Sequence, residues 1–266
     1  MLLSPLYERF LGRKRLRFPY AGAAMPEATY TALASKAGWS KAQVNVAPGI
    51  DLKGLIRKPG TPQAPWALYY PGNDESQLER GQSFLIRMAG ETDWGLAVFA
   101  DRGYDSSGGE SGLAAIVADA PVIIEKLCAQ VGVAAERVHV IGFSIGGHFA
   151  VHAARGAAER GKRTASLTLL APVDDIVMFH HSPWEKLSAG EDYQTRPFLG
   201  GVPAPVLVVQ GAADATLGGA AQGKAIATAL GDKAQYEELP GVGHVELLEN
   251  PQAVAHVLKF IREHAK

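Results

Sequence analysis

Short apolar runs of strand length alternate along this chain with longer stretches of helical pattern, and that alternation restricts the fold more than any other feature. WALYY (66–70), GLAVFA (95–100), RVHVIGF (137–143), SLTLLAPV (166–173), PVLVVQG (205–211) and AQYEEL (234–239) read as strands. Most are apolar throughout, as strands covered on both faces are. Helical patterns fall near 77–90, 112–131, 146–160, 217–230 and 250–265. Strand and helix in turn give an α/β chain: a mostly parallel sheet with helices on both faces and right-handed crossovers.

One interval interrupts the rhythm. Residues 174–204 are neither clearly strand nor clearly helix, and an insertion of that size after a strand is more often functional than decorative. It reads as a small cap within a single domain spanning 1–266. Residues 1–18 place Leu2, Leu3, Leu6, Tyr7, Phe10 and Leu11 at helical spacing ahead of Arg13, Lys14, Arg15 and Arg17. They predict an amphipathic helix that docks on the body or on a partner subunit of a homo-oligomer, with a membrane surface as the sharper alternative. A net charge of −1 supplies no field for nucleic acid. No apolar run reaches the roughly 18 residues of a membrane span, and the N-terminus lacks the order of a secretory signal, so a cytoplasmic location is expected. The single cysteine, Cys128, falls on the buried side of a helical pattern and reads as packing.

The chemistry is signalled by Gly142-Phe143-Ser144-Ile145-Gly146, set between a strand and a helix. Glycines on either side allow a sharp turn that holds a serine in a strained conformation, its hydroxyl exposed at the carboxyl edge of the sheet. A serine hydroxyl is a weak nucleophile unless a base takes its proton. His244 lies in the loop after AQYEEL, and Asp214 in the loop after PVLVVQG, so Ser144, Asp214 and His244 all follow strand ends and can meet at one edge. In this reading His244 takes and returns the proton while Asp214 holds the imidazole. Asp174 and Asp175, beyond the strand at 166–173, are rivals for the acid.

This constellation resembles the α/β-hydrolase superfamily over nearly the whole chain. FADRGYDSSGGES (99–111) is similar to the Arg-Gly-Tyr-Gly-x-Ser loop of the branch with serine-aminopeptidase-like and monoglyceride-lipase-like enzymes. YYPGNDES (69–76) stands where relatives carry a His-Gly-X turn. Pro71 replaces the common histidine and Asp105 the common glycine, departures that bear on substrate class. The resemblance implies a sheet of about eight strands. It also implies an oxyanion hole made by the main-chain N–H groups of Ile145 and Asn73, with Asp74 behind the latter; Pro71 has no N–H to offer.

The function expected is hydrolysis of a small-molecule carboxylic ester through a serine acyl-enzyme, with no metal and no organic cofactor. Peptidase, amidase or thioesterase activity would use the same triad. A binding protein on the same fold, without turnover, is the alternative of another class. Met178, Phe179, Trp184 and Phe198 are candidates to line an acyl pocket, or else form the cap's own small core. His180-His181 lacks a third ligand nearby and does not read as a metal site. His139, His148, His152, His256 and His264 read as packing or surface residues, and Arg102, Gly103 and Tyr104 as shaping a loop beside the site.

Overall fold

A computed structural model describes residues 21–176, 193–216 and 218–265. The helix expected over 1–18 and residues 177–192 of the expected cap lie outside the described residues. Its centre is an open eight-stranded sheet in the order β1-β2-β4-β3-β5-β6-β7-β8. The strands are β1 (Trp39–Ala47), β2 (Ile50–Arg57), β3 (Trp66–Tyr70), β4 (Gly95–Phe99), β5 (Val138–Phe143), β6 (Ser166–Leu170), β7 (Val206–Gly211) and β8 (Ala234–Leu239). β1 and β2 form an antiparallel hairpin, β2 runs antiparallel to β4, and every pairing from β4 through β8 is parallel.

Every residue of β3, β4, β5, β6 and β7 is buried. That is why their sequences are unbroken apolar runs: a strand covered on both faces gains nothing from alternation. The helices packed on the sheet are α1 (Glu27–Ala34), which lies on β1, α2 (Gln77–Ala89), α3 (Leu113–Val131), α4 (Ile145–Glu159), α5 (Ala220–Leu230) and α6 (Pro251–His264). α3 packs on α4, and α2 on α6. Ser76 caps α2 by accepting from the Glu79 N–H, and Asn250 caps α6 by accepting from Gln252 and Ala253. Cys128 is buried on α3, on the side the helical pattern indicates.

The structure differs from the sequence reading at its N-terminal elements and at the end of β6. The hairpin β1–β2 and helix α1 have no counterpart in it, because β1 mixes buried and exposed positions and β2 interrupts its buried ones with Asp51 and Lys53, leaving no long apolar run to see. The strand read at 166–173 stops at Leu170, since Ala171 turns the chain at a φ of 42°. Beyond it, the two ends of the 174–204 interval are pinned together. Asp175 bridges Gln194 in antiparallel fashion, the Thr195 N–H donates to Asp174 O at 2.8 Å, and a 3-10 turn, Arg196–Gly201, leads into β7.

Candidate active site

Ser144 directly follows β5 and precedes α4, with φ 55° and ψ −126°. A non-glycine residue held there costs on the order of 1–3 kcal/mol, which the surrounding structure must offset. It does so by tying the turn from both sides. The Ser144 N–H donates to Leu170 O at 2.9 Å, and the Gly147 N–H donates to Ser144 O at 3.0 Å. Gly146 is required by contact: a Cβ there would sit 2.3 Å from the carbonyl oxygens of both Tyr70 and Pro71. That approach brings the start of α4 against the loop after β3. Ser144 as a whole retains 6% of its surface, its turn being tied to the end of β6 and the start of α4.

Asp214 and His244 come together because the loops after β7 and β8 interlock. The Ala212 N–H donates to Leu239 O at 2.9 Å and the Ala213 N–H to Val242 O at 3.0 Å. Gly211 permits this, since a Cβ there would lie 2.3 Å from Val242 O. His244 Nδ1 is then 2.7 Å from Asp214 Oδ2. Asp214, whose side chain is 3% exposed, is fixed by two more donors. Gln210 Nε2 donates to Oδ2 at 2.9 Å and the Thr216 N–H to Oδ1 at 2.8 Å. An acceptor-only carboxylate facing Nδ1 selects the tautomer with its proton there and leaves Nε2 free to act as a base. The His244 ring lies against Phe143, centroids 5.0 Å apart, so the imidazole stands beside the residue that precedes Ser144. Among the described residues the Asp214–His244 link is the hydrogen bond within the trio; none joins Ser144 to the imidazole.

The rival acids are engaged elsewhere. Asp174 accepts from Arg196 Nε at 2.5 Å and from the Arg196 N–H at 3.1 Å. The N–H groups of Asp174 and Asp175 both donate to Gln222 Oε1. Gln210 is the supporting residue that the sequence reading passed over. The available signal was a glutamine inside the apolar run VLVVQG, at a fully buried position four residues before Asp214.

The first amide of α4, Ile145 N–H, has no partner one turn back within its helix and sits at the positive end of the helix dipole. The loop carrying Asn73 lies close by, through the contact of Gly146 with Tyr70 and Pro71. Asn73 Oδ1 accepts from the Tyr104 hydroxyl at 2.6 Å. Asp74 is buried and paired with Arg80 Nε at 2.7 Å. Burial raises its carboxyl above the ordinary range, against the pull of Arg80 and of His244. Behind this loop, burial pushes Asp101 up to about 7 and Asp105 to about 6. Asp105, which replaces the glycine of related loops, accepts from the Leu78 N–H at 2.7 Å at the start of α2, with its own φ at 46°. Arg102 pairs with Asp119 on α3 through both of its carboxylate oxygens.

Met178, Phe179 and Trp184, expected to line a pocket, lie outside the described residues, as do His180 and His181. Phe198, in the 3-10 turn Arg196–Gly201, packs against α4. Its ring meets His152 at a centroid distance of 4.3 Å and His148 at 6.0 Å, and the Arg155 guanidinium lies 5.3 Å from its centre. His148 is fully buried with Nδ1 3.1 Å from Thr195 Oγ1. His139 bridges β5 and β6 through Ser166 Oγ at 2.8 Å. Burial lowers His148 to about 3 and His139 to about 4, so both are neutral packing groups near neutral pH. Among the described residues no three His, Cys, Asp or Glu side chains gather as a metal-binding group, and no helix is long and apolar enough to cross a membrane.

No protein-family model matches the chain, and no curated protein matches it by sequence. Solved structures do match. An α/β hydrolase from Vibrio vulnificus superposes with a TM-score of 0.71 at 19% identity, over 98% of this chain and 91% of that one. A hyperthermophilic esterase from the archaeon Pyrobaculum calidifontis matches with a TM-score of 0.66 at 19% identity, over 99% of each chain. An esterase from Pyrococcus furiosus gives 0.66 at 15% identity, over 93% of this chain and all of that one. At such identities the likeness is one of fold: the chain has the α/β-hydrolase fold, with its mostly parallel eight-stranded sheet.

Proposed function

We propose that this α/β-hydrolase fold carries a serine hydrolase that cleaves a carboxylic ester of a small molecule through an acyl-enzyme. The observation that supports it best is the Asp214–His244 hydrogen bond of 2.7 Å, set beside a serine held at φ 55°. A buried aspartate orienting a histidine is the arrangement an alcohol nucleophile needs. The serine-to-imidazole contact closes in the substrate complex, as catalytic hydrogen bonds often do.

In the proposed sequence of events His244 Nε2 removes the Ser144 Oγ proton as Oγ adds to the ester carbonyl carbon. The charge that forms on the carbonyl oxygen is met by the main-chain N–H groups of Ile145 and Asn73. Each such donor is typically worth about 3–4 kcal/mol in the transition state. The imidazolium, stabilised by Asp214, returns the proton to the leaving alcohol. Water activated by the same imidazole then releases the acid and restores Ser144. The chemistry calls on no metal or organic cofactor. Amides and thioesters would follow the same path, and the pocket decides among them. The esterases among the structural neighbours favour esters.

The test is labelling with a fluorophosphonate probe, followed by hydrolysis of p-nitrophenyl esters of increasing chain length. The wild-type protein should label strongly, and Ser144→Ala and His244→Ala should not. Undiminished esterase activity in Ser144→Ala would refute the reading. A wild-type protein that neither labels nor turns over esters would be a binding protein on the same fold.

A further inference from the structure

The segment Gly72-Asn73-Asp74 is a loop, yet each of its residues is held from outside it. Gln77 Nε2 donates to Gly72 O at 2.9 Å, and the same amide group donates to Asp101 Oδ2 at 2.9 Å. The Asp101 N–H closes that ring by donating to Gln77 Oε1 at 2.7 Å. The Tyr104 hydroxyl donates to Asn73 Oδ1 at 2.6 Å. Arg80 Nε pairs with Asp74 Oδ1 at 2.7 Å.

Two of these struts rise from the loop at 101–107, which is itself immobilised. Asp105 takes the Leu78 N–H, Arg102 holds Asp119 on α3, and the Ser107 hydroxyl donates to Ala100 O at 2.9 Å. Asp105 and Ser106 both lie at positive φ, 46° and 63°. A loop that carries such strain is over-determined by its surroundings. Tyr104 is 1% exposed, so its ring cannot swing away from Asn73.

The purpose of so much support follows from what a main-chain donor must do. It stabilises a developing oxyanion only when its N–H already points at that oxygen, and a loop peptide free to rotate loses most of the benefit. We propose that Tyr104 is a positioning residue for the oxyanion hole: its bond to the Asn73 side chain fixes the Asn73 peptide so that its N–H faces the carbonyl oxygen of the bound ester. This rests on the serine-hydrolase reading above. It also gives a role to the Arg-Gly-Tyr-Asp sequence that the triad leaves unexplained.

The test uses single and paired substitutions in the full-length protein. Tyr104→Phe should lower kcat for a p-nitrophenyl ester roughly 10–100-fold with KM nearly unchanged, the signature of a contact realised in the transition state. Asn73→Ala keeps its main-chain N–H and should show a loss of the same size. The double variant should be no worse than either single one, because Tyr104 acts through the Asn73 side chain. Losses that multiply, or a Tyr104→Phe protein with wild-type kcat, would overturn the proposal. Amide hydrogen exchange followed by mass spectrometry needs no turnover. In Tyr104→Phe the peptide covering 71–76 should exchange faster while the rest of the chain is unaltered, and unchanged exchange there would also overturn it. Absence of fluorophosphonate labelling in wild type would count against the hydrolase reading; exchange would then judge the clamp alone.

Discussion

Replacing Asp101 by asparagine tests the electrostatics behind the loop at 72–74. Asp101 is 3% exposed, two residues beyond the end of β4, and its carboxyl accepts from Gln77 Nε2. Burial is the main cause that pushes it from 3.8 to about 7; Asp119 and Asp105 add to the rise and the Gln77 bond partly offsets it. The sign follows from the proton count. Between pH 4 and 7 the folded chain keeps a proton that the unfolded chain releases, so folding is progressively disfavoured as pH rises through that window and stays so above it. Over the full window the effect is at most about 4 kcal/mol. The substituted amide would present a carbonyl oxygen to Gln77 and carry no charge, so the stability of Asp101→Asn lacks this slope. Wild type should be at least as stable as Asp101→Asn at pH 4. By pH 8 the difference should have moved toward the variant by up to about 4 kcal/mol. His139 and His148, held neutral by burial at about 4 and about 3, lose stability as pH falls below their ordinary 6.5, but equally in both proteins, so they cancel. Urea unfolding at single pH steps from 4 to 8 measures the difference directly. Parallel stability curves for the two proteins would show that the buried carboxyl is not held protonated, and the reasoning would fail.

The remaining predictions concern the acid of the proposed triad. Asp214→Asn should lower kcat by about 10⁴-fold, because an amide can hold the wrong imidazole tautomer, whereas Asp174→Asn, which disturbs the Arg196 pair, should stay within about tenfold of wild type; equal losses in ester hydrolysis would sink the assignment. Gln210→Met removes a donor to Asp214 Oδ2 from a fully buried position. It should cost about 1–3 kcal/mol of stability and lower kcat several-fold, read by urea unfolding and ester turnover, and wild-type values in both would show that Asp214 needs no anchor from β7.

How much of this was legible in advance varies with the physics of each part. The central strands β3 to β7 stand out as apolar runs because two-sided burial imposes the same requirement on every residue. The hairpin β1–β2 does not, since edge strand β1 leaves much of one face exposed and β2 carries partly exposed charges among its buried positions. Ser144 is visible because its turn demands glycine where backbones collide, and that demand is written at Gly146. The acid is less visible: Asp174 and Asp214 both follow strand ends and differ only in what reaches them. Arg196 takes the first and His244 the second, partners distant in sequence whose arrival depends on loop interlocking.

The chain by itself therefore determined the α/β architecture and marked Ser144, His244 and the rival aspartates as strand-end candidates, because burial and backbone sterics act locally and leave periodicities and glycines behind. Tertiary structure decided which aspartate faces the imidazole, that Gln210 anchors it, and that Tyr104, Gln77 and Arg80 each take hold of one residue of the loop at 72–74. Those contacts join segments whose spacing carries no pattern. A hydrogen bond between two distant loops constrains only its two partners, and nothing in either neighbourhood announces the other.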